Sequence, residues 1–311
     1  MGIALKQLTK VFGEKKAVDK LDLEMPEPGI YGLIGTNGAG KTTTIRMMLG
    51  VLRPDGGEVL WNGAAFAPNA PRYGYLPEER GIYAKSKVAV QLRYFAELKG
   101  LSKSEAADAT KWWLERLRIT EYADMQAEKL SKGNQQKVQM ITCLLHDPEL
   151  IVMDEPFSGL DPVNTEQFRE LLLELESKGK YIFLSSHQMS TVEEYCKNIT
   201  LLHRGETLLQ GNLKEIKHGY GHTRLIVDAP PDALALASDY GLTLLDRRGD
   251  DTTFSIPADN ADARCEKYLR TLLEKGILPL KFTLSEPSLH EIFIEKVGAE
   301  EAATAESPLR G

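Results

Sequence analysis

The chain reads as an α/β fold built on a parallel sheet, followed by a smaller α+β unit, and three observations predict this. Ile30-Tyr31-Gly32-Leu33-Ile34 is a short apolar run of buried-strand type, followed by a glycine-rich loop and by Thr44 to Leu49, a helical pattern closed at Gly50. Two further apolar runs, Leu150 to Met153 and Tyr181 to Leu184, each end in polar residues: Asp154-Glu155 after the first, Ser185-Ser186-His187 after the second. Beyond residue 222 the pattern becomes β-α-β-β-α-β, the element order of a ferredoxin-like unit.

In chain order, Ile3-Ala4-Leu5 and Leu21 to Met25 are expected as strands that lead into the loop. Gly35-Thr36-Asn37-Gly38-Ala39-Gly40-Lys41-Thr42-Thr43 matches G-x-x-x-x-G-K-[ST] with a strand before it and a helix after it. Glycines there let the backbone turn with its N–H groups inward, so a polyphosphate would meet a ring of donors and the positive end of a helix. Lys41 would reach the β- and γ-phosphates, Thr42 would place its hydroxyl on Mg²⁺, and Thr43 would add a phosphate contact. Val11-Phe12-Gly13 sets an aromatic beside a turn, where Phe12 either closes a small core or lies on an adenine face. Gly56 to Gly63 reads as a hairpin, and Tyr73 to Glu79 as a strand running into a loop.

The chain is then mainly helical from Lys87 to His146. Val88 to Lys99 ends at Gly100, and Ser102-Lys103-Ser104-Glu105 is a capping box that opens the next helix. Trp112 and Trp113 are adjacent and cannot both sit on one narrow stripe, which leaves two readings: one partly exposed at a partner surface, or plain packing, the favoured of the two.

Bulk properties narrow the function classes. The 311 residues suit about two domains, and 42% hydrophobic with 27% charged residues is ordinary for a globular chain. A net charge of -7 offers no general attraction for nucleic acid. Cys143, Cys196 and Cys265 are widely spaced and read as reduced packing residues. No apolar run approaches the ~18 residues of a membrane span, and no secretory signal is read, so membrane contact is expected through a partner.

Three motifs carry the chemistry. Leu130-Ser131-Lys132-Gly133-Asn134-Gln135 stands at a helix start, where Ser131 offers a hydroxyl and Gly133 an uncrowded N–H to an anion, or where Ser131 is a simple cap. Asp154 and Glu155 end an apolar strand before Pro156: Asp154 can hold Mg²⁺, and Glu155 can polarise a water for in-line attack on a γ-phosphoryl group. His187 is delivered to the same end of the sheet, where ligands collect in parallel α/β folds.

With these motifs in this order over Met1 to about Gly221, the sequence resembles the ATP-binding cassette (ABC) family. The resemblance implies a P-loop NTPase cassette, with a RecA-like core and a helical subdomain at about residues 80–146. It implies that Phe12 stacks on adenine, that Gly35 to Thr43 bind the phosphates of ATP, and that Glu78 occupies the glutamine-loop position. It further implies that Leu130 to Gln135 form the signature, with Ser131 and Gly133 gripping the nucleotide of a second subunit. Asp154, Glu155, Asp161 and His187 complete the site, with Thr42, Asp154 and Glu78 around Mg²⁺. Three positions depart from the family's pattern: Glu78 stands for Gln, and Lys132 and Asn134 stand for Gly and Gln.

One cassette is half of the family's ATP sandwich, so a homodimer, or a heterodimer with a similar subunit, is implied. The nearest type is the ATPase subunit of sodium or drug efflux systems (NatA-like), peripheral on the cytoplasmic face through a separately encoded membrane permease that docks on the Glu78 loop and adjoining helices. A soluble non-transport ABC ATPase and a regulatory ATP binder are the alternatives.

After a linking helix at 212–220, residues 222–297 are expected as the small domain. Its elements are a strand at Leu225-Ile226-Val227, a helix from Asp232 to Tyr240, a hairpin of Leu242 to Leu245 with Thr252 to Ile256, a helix from Asp262 to Glu274, and a strand from Ile277 to Leu284. Ser285 to Ile294 resembles the closing segment of such exporter subunits. Residues 298–311, poor in large apolar side chains, are expected as a disordered tail.

Overall fold

The computed structural model describes residues 2–79, 81–257 and 259–306. They form two compact units that divide between Gln210 and Gly211. The first opens with β1 (Ile3–Phe12) and β2 (Lys15–Met25), then β3 (Gly29–Gly35) and α1 (Lys41–Met48). Next come β4 (Gly56–Trp61), β5 (Ala64–Ala65), the single turn α2 (Phe66–Asn69) and β6 (Tyr73–Leu76). Three helices follow: α3 (Val88–Leu98), α4 (Lys103–Arg116) and α5 (Lys132–Leu144). The unit closes with β7 (Leu150–Asp154), α6 (Pro162–Ser177), β8 (Tyr181–Ser186), α7 (Met189–Tyr195), β9 (Asn198–His203) and β10 (Glu206–Asn212), whose end crosses the division.

Two sheets result. One is ordered β10-β9-β3-β8-β7-β6, with β3 parallel to β8 and β9, and β7 parallel to β8 and β6. Every residue of β3 and β7 is buried, as their unbroken apolar character requires of parallel strands covered on both faces. The other sheet is antiparallel, β2-β1-β4-β5. Its first two strands run ten and eleven residues, well beyond the expected cores at Ile3 to Leu5 and Leu21 to Met25. Polar residues on the open face, such as Lys6, Gln7 and Lys20, masked that length in the sequence. Leu5, Leu8, Leu23, Leu33, Ile45 and Phe183 belong to one core, in which Tyr31 stacks on Phe183 at 5.6 Å.

In the helical region the expected capping box is present: Glu105 N donates to Ser102 Oγ at 3.3 Å, and Ser102 N donates to Glu105 Oε2 at 2.8 Å. Trp113 is buried and Trp112 is 47% exposed, so the two adjacent rings fall on different faces of α4. No helix among the described residues is long and apolar enough to cross a membrane.

The second unit contains α8 (Leu213–Tyr220), β11 (Arg224–Asp228), α9 (Pro231–Ala235) prolonged by a 3₁₀ turn at Leu236–Tyr240, β12 (Thr243–Arg248), β13 (Asp251–Ser255), α10 (Ala261–Glu274), β14 (Lys281–Ser285) and α11 (Leu289–Glu306). Its sheet order, β12-β13-β11-β14 with every pair antiparallel, is that of a ferredoxin-like unit. Leu225, Val227, Phe254, Tyr268 and Leu272 form its core, and Tyr268 Oη donates to Ala233 O at 3.1 Å. Three expectations shift here. The linking helix α8 belongs to the second unit, so the division falls at Gln210 rather than at Gly221. The last strand starts at Lys281 rather than Ile277, because Pro279 has no N–H to give a ladder. The tail expected from residue 298 is helical through Glu306, where Ala and Glu are strong helix formers; 307–311 lie outside the described residues.

Candidate functional site

The glycine-rich loop joins β3 to α1 with little room to spare. Gly40 has φ 110°, and a Cβ there would lie 2.4 Å from Ala17 O; a Cβ at Gly35 would lie 2.5 Å from Leu202 O. Both positions therefore demand glycine, one for its dihedral and its space, the other for its space. Gly40 caps α1 without any side-chain hydrogen bond, and no acidic residue stands in the first turn, so the positive helix end keeps its N–H groups clear of side-chain caps. Lys41 is buried with Nζ donating to Gly35 O at 2.8 Å and Thr36 O at 3.3 Å.

Parallel pairing sets the ends of β3, β7 and β8 side by side, which brings three distant polar segments together. Glu155 Oε1 lies 3.3 Å from Lys41 Nζ, and Glu155 Oε2 lies 2.8 Å from His187 Nδ1. Glu155 is 6% exposed, whereas the His187 side chain is 41% exposed, so the chain Lys41, Glu155, His187 runs from the buried loop to solvent. The Glu155 backbone sits at φ 51°, a left-handed conformation costly for a non-glycine residue and held here by its N–H, which faces both Ser185 O at 3.2 Å and Ser185 Oγ at 3.3 Å. Asp154 is 1% exposed; its Oδ1 accepts from Ser185 Oγ, and its Oδ2 has no hydrogen-bond partner among the described residues. A buried, unpaired carboxylate oxygen beside a phosphate-type loop fits a hard cation that takes one or two protein oxygens and keeps the rest for phosphate and water.

An open cleft of about 380 Å³ runs along the loop, lined by Phe12, Asn37, Lys41, Thr42, Glu78 and Glu155 among others. Phe12 is 51% exposed, with Lys10 Nζ 5.5 Å from its ring centre, so it closes no core and offers a ring face at the cleft.

Ser131, Gly133 and Asp161 do not line this cleft; they form a separate cluster. Ser131 caps α5 by accepting from Asn134 N at 3.3 Å. Asp161 caps α6, accepting from Asn164 N at 2.9 Å and Asn164 Nδ2 at 2.6 Å; these bonds, that from Asn164 N foremost, hold the Asp161 carboxyl below the usual range. The α-carbon of Gly133 packs so close to Asn164 that a Cβ would lie 2.5 Å from Nδ2. Asn164 thus joins the start of α5 to the Asp161 loop.

Comparison with known proteins follows the same division. Residues 18–158 match the family described as ABC transporter, and residues 211–297 match the C-terminal domain of DrrA1-3-like ATP-binding proteins. Over 298 residues the chain is 46% identical to YhaQ of Bacillus subtilis (strain 168), named an uncharacterized ABC transporter ATP-binding protein, covering 96% of this chain and 99% of YhaQ. The chain belongs to the ABC transporter ATP-binding proteins. The chain is also 31% identical to the bacitracin transport ATP-binding protein BcrA of Bacillus licheniformis, across 94% of this chain and 95% of that one. A solved ATP-binding subunit of an ABC transporter superposes with TM-score 0.65 at 30% identity, covering 71% of this chain and 94% of its own.

Some residues of the cassette that shape the site escaped the sequence reading. Ser185 orients Asp154 and fixes the Glu155 backbone, and in the sequence it stood only as the first polar residue closing an apolar run. Asn164 had no signal beyond its position three residues after a capping Asp.

Proposed function

We propose that this chain is the ATP-hydrolysing subunit of an ABC exporter, acting as a pair of cassettes that powers a separately encoded membrane permease from its cytoplasmic face. The observation that carries this reading is the Lys41–Glu155–His187 chain set against the uncapped start of α1, with Asp154 Oδ2 unpaired beside it. In this reading Phe12 stacks on adenine, and the N–H groups of residues 36–43 and Lys41 hold the phosphates. Thr42, Asp154 and Glu78 would hold Mg²⁺, whose charge would offset that of the phosphates. Glu155 accepts the proton of the attacking water as its oxygen bonds to the γ-phosphorus and the bond to the β–γ bridging oxygen breaks, giving ADP and phosphate. His187 orients Glu155 and reaches toward the γ-phosphate from the cleft mouth.

Ser131, Gly133 and Asp161 stand outside this chain's own cleft, which supports a site completed by the signature of a second subunit. The export direction rests on the relative named Nod factor export ATP-binding protein I of Cupriavidus metallidurans (strain ATCC 43123 / DSM 2839 / NBRC 102507 / CH34), 34% identical across 69% of this chain and 72% of that one. The test is phosphate release from MgATP by wild type and by Lys41→Ala, together with recovery of an integral membrane protein bound to the chain. Equal release by the two proteins would refute the catalytic reading, and recovery of the chain free of any membrane partner would refute the transport reading.

A further inference from the structure

Asp154 and Ser185 are direct partners in the parallel pairing of β7 with β8, and both are buried, at 1% and 0% exposure. Elementary chemistry fixes the direction of each bond at the serine hydroxyl. A backbone N–H can only donate, so Ser185 Oγ accepts from Glu155 N at 3.3 Å. Its own single proton is then left for Asp154 Oδ1, which can only accept when the carboxyl is ionised. The bond from Glu155 N to Ser185 O at 3.2 Å holds the two backbones at this spacing, and no water reaches the serine to compete. Asp154 Oδ1 is thereby committed to the protein. Oδ2, buried and without a hydrogen-bond partner among the described residues, is the one oxygen that Asp154 has left to give.

We infer that Ser185 decides which divalent cation the site prefers: by holding Oδ1 it limits Asp154 to a single oxygen, which suits Mg²⁺ and disfavours Ca²⁺. The inference rests on the reading that the cleft binds a metal complex of ATP with Asp154 at the metal. Mg²⁺ is small, demands near-ideal octahedral geometry and keeps several waters, so one carboxylate oxygen at a fixed angle serves it. Ca²⁺ takes about six to eight oxygens in flexible geometry and can grip both oxygens of one carboxylate. A pinned Oδ1 withholds the second oxygen. Ser185 is therefore a positioning residue that acts through Asp154, and its effect is read in the choice of metal.

The test compares wild type with Ser185→Ala by equilibrium titration with a fluorescent ATP analogue, once in Mg²⁺ and once in Ca²⁺, so that turnover is not the readout. Ser185→Ala should weaken binding in Mg²⁺ by about tenfold, the lower end of what loss of an outer-shell partner costs a metal site. In Ca²⁺ the freed Oδ1 offsets that loss, so the ratio of the two dissociation constants should move toward Ca²⁺ by about tenfold. A hydroxyl that only holds the loop together would weaken both complexes alike, so an equal loss in the two metals, or no change in either, overturns the inference. If Ser185→Ala does not fold, Ser185→Cys takes its place with the same two outcomes, since its thiol is a weak donor of similar shape. Wild-type protein that binds the analogue no better in Mg²⁺ than in EDTA would refute the reading that Asp154 serves a metal, and this inference with it.

Discussion

Replacing Glu155 by Gln isolates the proton-accepting role, because the amide keeps the volume of a side chain that is 6% exposed and wedged between Lys41 and His187. Turnover should fall by ~10²–10⁴-fold, the range for a positioned general base. Folding should survive. Removing one partner of a buried ion pair costs ~3–5 kcal/mol when the other charge is stranded. Lys41, however, retains hydrogen bonds to Gly35 O and Thr36 O, so the loss should stay below that range. ATP binding should also survive, since the loop, Thr42 and Asp154 are untouched and one negative charge near the γ-phosphate is gone. The unconsumed ATP should then hold two cassettes together through Ser131 and Gly133. Phosphate release gives the chemistry, and size-exclusion chromatography in MgATP against MgADP, run with the permease present, gives the pairing. Wild-type turnover in the variant would refute the role of Glu155, and a variant that stays monomeric beside its permease would refute the sandwich.

Lys41→Ala should abolish MgATP turnover by removing the buried cation aimed along the loop; nucleotide titration and phosphate release check it. Phe12→Ala should weaken ATP by ~1–3 kcal/mol, the scale of base–aromatic stacking. Because the ring is half-exposed, the melting midpoint should barely move, so unchanged affinity would leave Phe12 without its assigned role. Stability should fall on acidification through His146, whose Nε2 lies 3.0 Å from Tyr73 O and whose Nδ1 is buried without a hydrogen-bond partner among the described residues. Burial pushes this imidazole below its ordinary pKa of 6.5, so the unfolded chain takes up the proton first. The contribution is therefore complete above about pH 6.5 and is lost as pH falls toward the depressed value, with a slope of at most ~1.4 kcal/mol per pH unit for one proton. Melting curves of wild type and His146→Gln from pH 7.5 to 5 should diverge in that sense, and parallel curves would refute it.

What the sequence made legible is what local chemistry decides. Gly35 to Thr43, Asp154-Glu155 and His187 each announce themselves by residue type at the end of an apolar run, and parallel pairing of β3, β8 and β7 brings them together as those runs imply. The hidden features depend on partners far along the chain. The Ser185 contact with Asp154 spans 31 residues, and that of Gly133 with Asn164 also spans 31, and neither has a periodic signal. Phe12 shows the difference most clearly: its neighbours in sequence allowed both a core and a ring face for adenine, and only the placement of the β1–β2 turn beside the phosphate loop, with the ring 51% exposed, removes the core.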